Sequence, residues 1–130
     1  METISGTADI TCLYSDEPAA YPTLGQVIFR RDRGAAVSLS QSHHSIDSHL
    51  VFLHGSARAE YFLTEEICLE GQADGLVWCG DENNLLISLA FTEDMHGGIL
   101  TATQVAYTRL LGRIAQLGYP HLVRVWNYFA

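Results

Sequence analysis

The clearest change of period along the chain follows Gly97 and Gly98. Beyond them Tyr107, Leu110, Leu111, Ile114 and Leu117 recur at helical spacing, while Arg109, Arg113 and Gln116 fall elsewhere. Thr101 and Gln104 stand three residues apart, the capping-box spacing in which each side chain satisfies an otherwise orphan backbone donor. Gly118 supplies a left-handed C-terminal position and Pro120 prevents continuation. The pattern predicts a helix over about 102–117, entered through a glycine pair that serves as a hinge or allows tight approach.

Upstream, the apolar runs are shorter and read as strands. LVWC at 76–79, the loop GDENN at 80–84 and LLISLAF at 85–91 form the clearest hairpin, and the apolar second arm predicts a central position in a sheet. GQVIF at 25–29, the turn RRDRG and AAVSLS at 35–40 predict a second hairpin. The polar stretch SQSHHSIDSH at 40–49 reads as a loop, and LVFLHGSARAEYFLTEE as one bent strand or two short ones. Residues 1–22, with Pro18 and Pro22, read as an arm or irregular strand. HLVRVWNYF reads as a final strand, with Leu122, Arg124, Trp126 and Tyr128 on one face and Val123, Val125, Asn127 and Phe129 on the other. Such a strand needs cover on both faces, yet Ala130 follows at once, so another subunit or a following domain is expected to close it. The whole, residues 1–130, reads as a single α+β domain, and no internal repeat is found.

Composition narrows the function classes. A chain with 48% hydrophobic and 17% charged residues is globular, and a net charge of −8 argues against a nucleic-acid partner. Every basic residue is arginine, and no acid follows Asp94, so Arg109, Arg113 and Arg124 bias the last third positively. That third suits an anionic metabolite or an acidic partner surface, or else carries arginines solvated for solubility. Cys12, Cys68 and Cys79 lack CxxC pairing and read as free or buried thiols, and the N-terminus has no signal-peptide pattern. With no apolar stretch of bilayer length, a cytoplasmic protein without a membrane partner is expected.

Candidate chemistry is sparse. His43, His44, His49 and His54 lie close together, but their spacing matches no metal motif, and neither a metal nor a cofactor is expected. There is no GxSxG elbow, Gly97 and Gly98 do not begin a phosphate loop, and the neighbours of Cys79 favour burial over activation. Arg124 is different, because a guanidinium in an apolar strand cannot shed its charge and needs a partner. It pairs either with one of the fifteen acids or with the carboxylate of a ligand. In the second case Trp126, Asn127 and Tyr128 would add a ring platform, an amide and a phenol; otherwise the aromatics are core or interface packing.

The run AYTRLLGRIAQLGYPHLVRVWNYF, Ala106 to Phe129, resembles the N-terminal domain of the chorismatases, also called chorismate-derived hydroxybenzoate synthases or pteridine-dependent deoxygenase-like proteins. GYPHLVRVWNYF is its most specific part. The resemblance implies a YjgF/Rid-like, chorismate mutase-like fold with helices on one side of a mixed sheet. It implies an enzyme that cleaves the enolpyruvyl ether of chorismate, releasing pyruvate and a hydroxybenzoate or a dihydroxycyclohexadiene carboxylate. In such enzymes the catalytic acid belongs to a C-terminal domain, expected here after the WNYF strand and so absent from this chain. No catalytic residue is therefore carried over, and the chain alone is expected to be inactive. Arg124, Trp126, Asn127 and Tyr128 are the substrate-binding candidates, with a C-terminal catalytic domain or a homo-oligomer partner completing the site. The competing expectations are a stand-alone module that binds a small acid or a protein, and a Rid-like enamine or imine deaminase.

Overall fold

In the computed structural model, residues 11–15, 22–30, 44–51, 59–92, 94 and 97–128 are described. They form β1 (Thr11–Ser15), β2 (Thr23–Arg30), β3 (Ser45–Val51), β4 (Ala59–Leu63), β5 (Leu69–Ala73), β6 (Leu76–Gly80), β7 (Leu85–Leu89) and α1 (Ile99–Leu117). The strands divide into a four-stranded sheet of order β1-β4-β2-β3 and a three-stranded sheet of order β5-β6-β7. The first is mixed, because β2 runs parallel to β3 and antiparallel to β4. The second is an antiparallel meander.

The predicted hairpin at 76–91 is present as β6 and β7, but β6 is the central strand and β7 an edge. β7 is apolar because both of its faces are used: Leu86 enters the core between the sheets, while the strand also meets α1. β5 joins β6 through Asp74 and Gly75, whose φ angles of 53° and 82° make the two-residue turn whose twist suits a hairpin.

Two expectations for the first sheet change. β2 forms where GQVIF predicts, but its partners are β3 and β4; residues 35–40 lie outside the described residues. Half of the expected polar loop at 40–49, residues 45–49, is strand β3 instead, and 40–43 lie outside the described residues. Parallel pairing with β2 accommodates its polar side chains: Ser48 Oγ donates to the Ile28 carbonyl at 2.8 Å, and Ile46 packs against the core.

The core cluster draws Leu24 and Val27 from β2, Phe62 from β4, Cys79 from β6 and Leu86 from β7, so the two sheets meet through it. Gly25 sits at the closest approach. A Cβ there would lie 2.6 Å from Leu86 Cδ2 and 2.7 Å from the His44 carbonyl oxygen, and only glycine lets the backbones close.

The α+β class holds, but the YjgF/Rid-like expectation does not. Among the described residues the strands form two separate sheets with no curled sheet or barrel, and the helix packs on β7 of the meander, not on a face of the mixed sheet. The chain leaves the first sheet at Thr64, whose hydroxyl donates to Asp81 Oδ2 at 2.8 Å, and Cys68 N–H bonds the Gly80 carbonyl at 2.9 Å. These contacts commit β5 to β6 and not to the edge of the first sheet.

α1 ends as its sequence predicts: Gly118, at φ 84°, donates to the Ala115 carbonyl, and Tyr119 N–H to that of Ile114. It begins earlier than predicted, with Gly98 as the N-cap and Thr101 inside the first turn, so no capping box forms. Gly97 and Gly98, at φ 78° and 125°, adopt backbone conformations that residues with a side chain rarely take; neither marks a tight approach, since a Cβ would meet nothing within 4 Å. Ala102 and Ala106 are the buried positions, whereas Leu111 is exposed. The small side chains bring the helix close, turning its covered face away from Leu111.

Candidate anion-binding site

Period two along β4 places Glu60 and Phe62 on one face of the mixed sheet. Tyr14 and Cys12 stand directly opposite them on β1, with Val27 and Gly25 opposite on β2. An acid therefore occupies a position on the apolar face, and Glu60 is only 1% exposed. Burying a carboxylate costs several kcal/mol unless it is paired.

The partner comes from the end of the chain. Arg124 Nη1 lies 3.6 Å from Glu60 Oε1, and the arginine side chain is half exposed. Its guanidinium rests over the Trp126 ring, 4.4 Å from the centroid. Trp126 in turn meets Phe62 edge-on, with centroids 5.3 Å apart and planes at 73°. Tyr128 packs against the same core cluster. Asn127 points elsewhere and accepts a hydrogen bond from the Tyr107 hydroxyl of α1 at 3.0 Å.

The predicted final strand is thus corrected. Residues 119–128 form no ladder with any described strand. Side chains, not backbone pairs, anchor the segment. The alternation of Arg124, Trp126 and Tyr128 against Asn127 nevertheless survives, while Leu122, Val123 and Val125 are exposed.

Glu60 acts on its neighbours. The Tyr14 phenol is raised above its ordinary range by partial burial and by the hydrogen bond and charge of Glu60, with Arg124 opposing. Burial, then the charge of Glu60, raises the Cys12 thiol and the Tyr128 phenol likewise. The ion pair itself is loose. At 3.6 Å it exceeds hydrogen-bond length, and Glu60 Oε1 accepts no hydrogen bond. A guanidinium has five donors in a planar fork, so Arg124 keeps capacity for a second carboxylate on its solvent side.

Other candidates lie away from this cluster. His44 Nε2 is 2.6 Å from Ser88 Oγ, and burial pushes the imidazole down to about 4. It borders an open cleft of ≈ 210 Å³ with Glu70, Gln72 and Trp78. His43 and His54 lie outside the described residues, as does the side chain of His49; among the described residues no three histidines, cysteines or acids gather as metal ligands. Cys79 is buried in the core, its thiol pushed up to about 11 by burial and then by the charges of Glu70 and Asp81. Arg113 lies over Trp78 at 5.0 Å. Among the described residues no helix is long and apolar enough to cross a membrane.

Glu60 and Tyr14 are the members of the cluster that the sequence did not disclose. The available signal was the strand AEYFL, in which an acid shares the face of a core phenylalanine.

The family described as Chorismatase FkbO/Hyg5-like, N-terminal, matches residues 60–130, a span that includes both Glu60 and Arg124. A protein named Chorismatase from Streptomyces rapamycinicus is 30% identical over 106 residues, 82% of this chain. The chain spans 31% of that relative's length. No solved structure matches the chain. With the family match extending over more than half of its length, the chain belongs to the chorismatase FkbO/Hyg5-like N-terminal family.

Proposed function

We propose that this chain is the supporting, substrate-enclosing N-terminal part of a chorismatase-type enzyme, which releases the enolpyruvyl group of chorismate as pyruvate and leaves a hydroxybenzoate or a dihydroxycyclohexadiene carboxylate. The observation that carries the reading is the half-exposed Arg124 guanidinium, seated on Trp126 with donors to spare, within the segment matched by the family. Arg124 meets a substrate carboxylate. Trp126 and Tyr128 hold it in place from the core side, and Asn127, tied to Tyr107, fixes the segment against α1. General acid catalysis on an enol ether needs a proton donor near the departing oxygen, and that group is assigned to a C-terminal catalytic partner domain.

Pyruvate release from chorismate tests the assignment. The 130-residue chain alone is expected to be inactive, and a fusion to the remaining part of the Streptomyces relative active. Arg124→Gln in the fusion is expected to lower kcat/KM about 10–100-fold, the effect of losing a charged hydrogen bond. Turnover by the short chain would refute the placement of the catalytic acid.

Exposed Leu122, Val123 and Val125, in a segment that pairs with no described strand, favour a second reading, a stand-alone module that binds a small acid or a protein through this surface. The Rid-like deaminase expectation, which calls for an intersubunit pocket with an arginine, loses the support of a YjgF-like fold.

A further inference from the structure

We infer that Glu60 is a resident counter-anion for Arg124, restraining the affinity of this site for an incoming carboxylate; the inference rests on the carboxylate-gripping role proposed above for Arg124. The two partners differ in freedom. Glu60 is fixed, being 1% exposed on a strand with β1 on one side and β2 on the other. Arg124 lies on a segment that forms no ladder with any described strand, and half of its side chain faces solvent. A ligand therefore approaches the arginine from the side opposite Glu60.

The 3.6 Å contact is too long for the bidentate fork that a free carboxylate can make at roughly 2.7–2.9 Å. A ligand thus has better geometry available to it than Glu60 uses. The resident carboxylate still offsets part of the arginine's charge and repels a second anion brought to the same guanidinium. Removing the Glu60 charge has two opposing effects: it unmasks Arg124, and it releases one of the contacts that orient it. The first dominates, because the Trp126 ring still seats the guanidinium at 4.4 Å. Restraint has a chemical use. Substrate and product of the proposed reaction both carry a ring carboxylate, and a grip that held both tightly would slow release without accelerating chemistry.

Calorimetric titration of the 130-residue chain with chorismate at low salt tests the inference. Glu60→Gln and Glu60→Met, each checked for folding by its melting curve, are expected to bind about tenfold more tightly than the parent. Arg124→Gln is expected to weaken binding, and adding Glu60→Gln to it should restore nothing. If Arg124→Gln binds like the parent, the carboxylate-grip reading fails. If Arg124→Gln weakens binding while both Glu60 variants bind equally or more weakly, the counter-anion inference alone fails. No binding by any folded variant overturns both. The parent chain gives an independent readout that needs no variant: the Glu60 carboxyl carbon resonance must move when chorismate is added, and a static resonance with bound ligand refutes the inference.

Discussion

Phe62→Ala is expected to destabilise the chain by about 3–5 kcal/mol, the range for truncating a fully buried aromatic residue. Phe62 is 2% exposed and stands where the mixed sheet, the meander and the terminal segment converge. Marginal stabilities of about 5–15 kcal/mol make this a large fraction of the total. The substitution also removes the edge-on partner of Trp126, so its effect should overlap with that of Trp126→Ala. A double-mutant cycle read by urea denaturation is expected to give a coupling of about 0.5–1.5 kcal/mol. Strict additivity would mean that the terminal segment does not rest on Phe62, and with it the support of Arg124 would be lost.

Acidification is expected to cost about 3 kcal/mol through His44 alone, because its imidazole is pushed down by burial from 6.5 to about 4. The sign follows from which state takes the proton first. Above pH 6.5 neither state is protonated at this site and the full stability is present. As pH falls from 6.5 towards 4, the unfolded chain binds the proton while the folded chain does not, and stability is progressively lost; below about 4 the loss stops growing. Comparing denaturation midpoints at pH 7.5 and pH 4 for the parent and for His44→Gln isolates this contribution from that of the other histidines. Equal pH dependence in the two proteins would show that His44 takes up its proton as easily folded as unfolded.

What could be read from the sequence was what neighbouring residues decide. Gly118 followed by Pro120 ends α1 where expected, and two apolar runs around a polar loop form β6 and β7. Asp74-Gly75 is equally local, a two-residue turn signal that marks the hairpin of β5 and β6. The misreadings have a common origin in distant partners. Ser45–His49 reads as polar loop until β2 supplies a parallel ladder and the Ile28 carbonyl takes the Ser48 hydroxyl. The apolar β7 suggests a central strand, since pattern alone cannot tell a neighbouring strand from a covering helix. The need of Arg124 for a partner was legible from its apolar context, but the identity of that partner was not. An acid in a strand ordinarily faces water, and only the pairing of β4 with β1 and β2 places Glu60 on the buried face.

The division between the two sheets also orders their assembly in time. The meander closes through a two-residue turn and a short loop, whereas β1 must find β4 from the far side of β2 and β3, pairing Thr11 with Leu63. Loop-closure entropy delays such distant pairs, so the meander is expected to form first. Pulse-labelled hydrogen exchange should then protect the β6 amides before those of β4; simultaneous protection would indicate a single concerted step. Because Arg124 meets Glu60 only once β4 is in place, the charge pair at the proposed ligand site is expected to form after the meander, and chains folded only that far would present the arginine without its restraint.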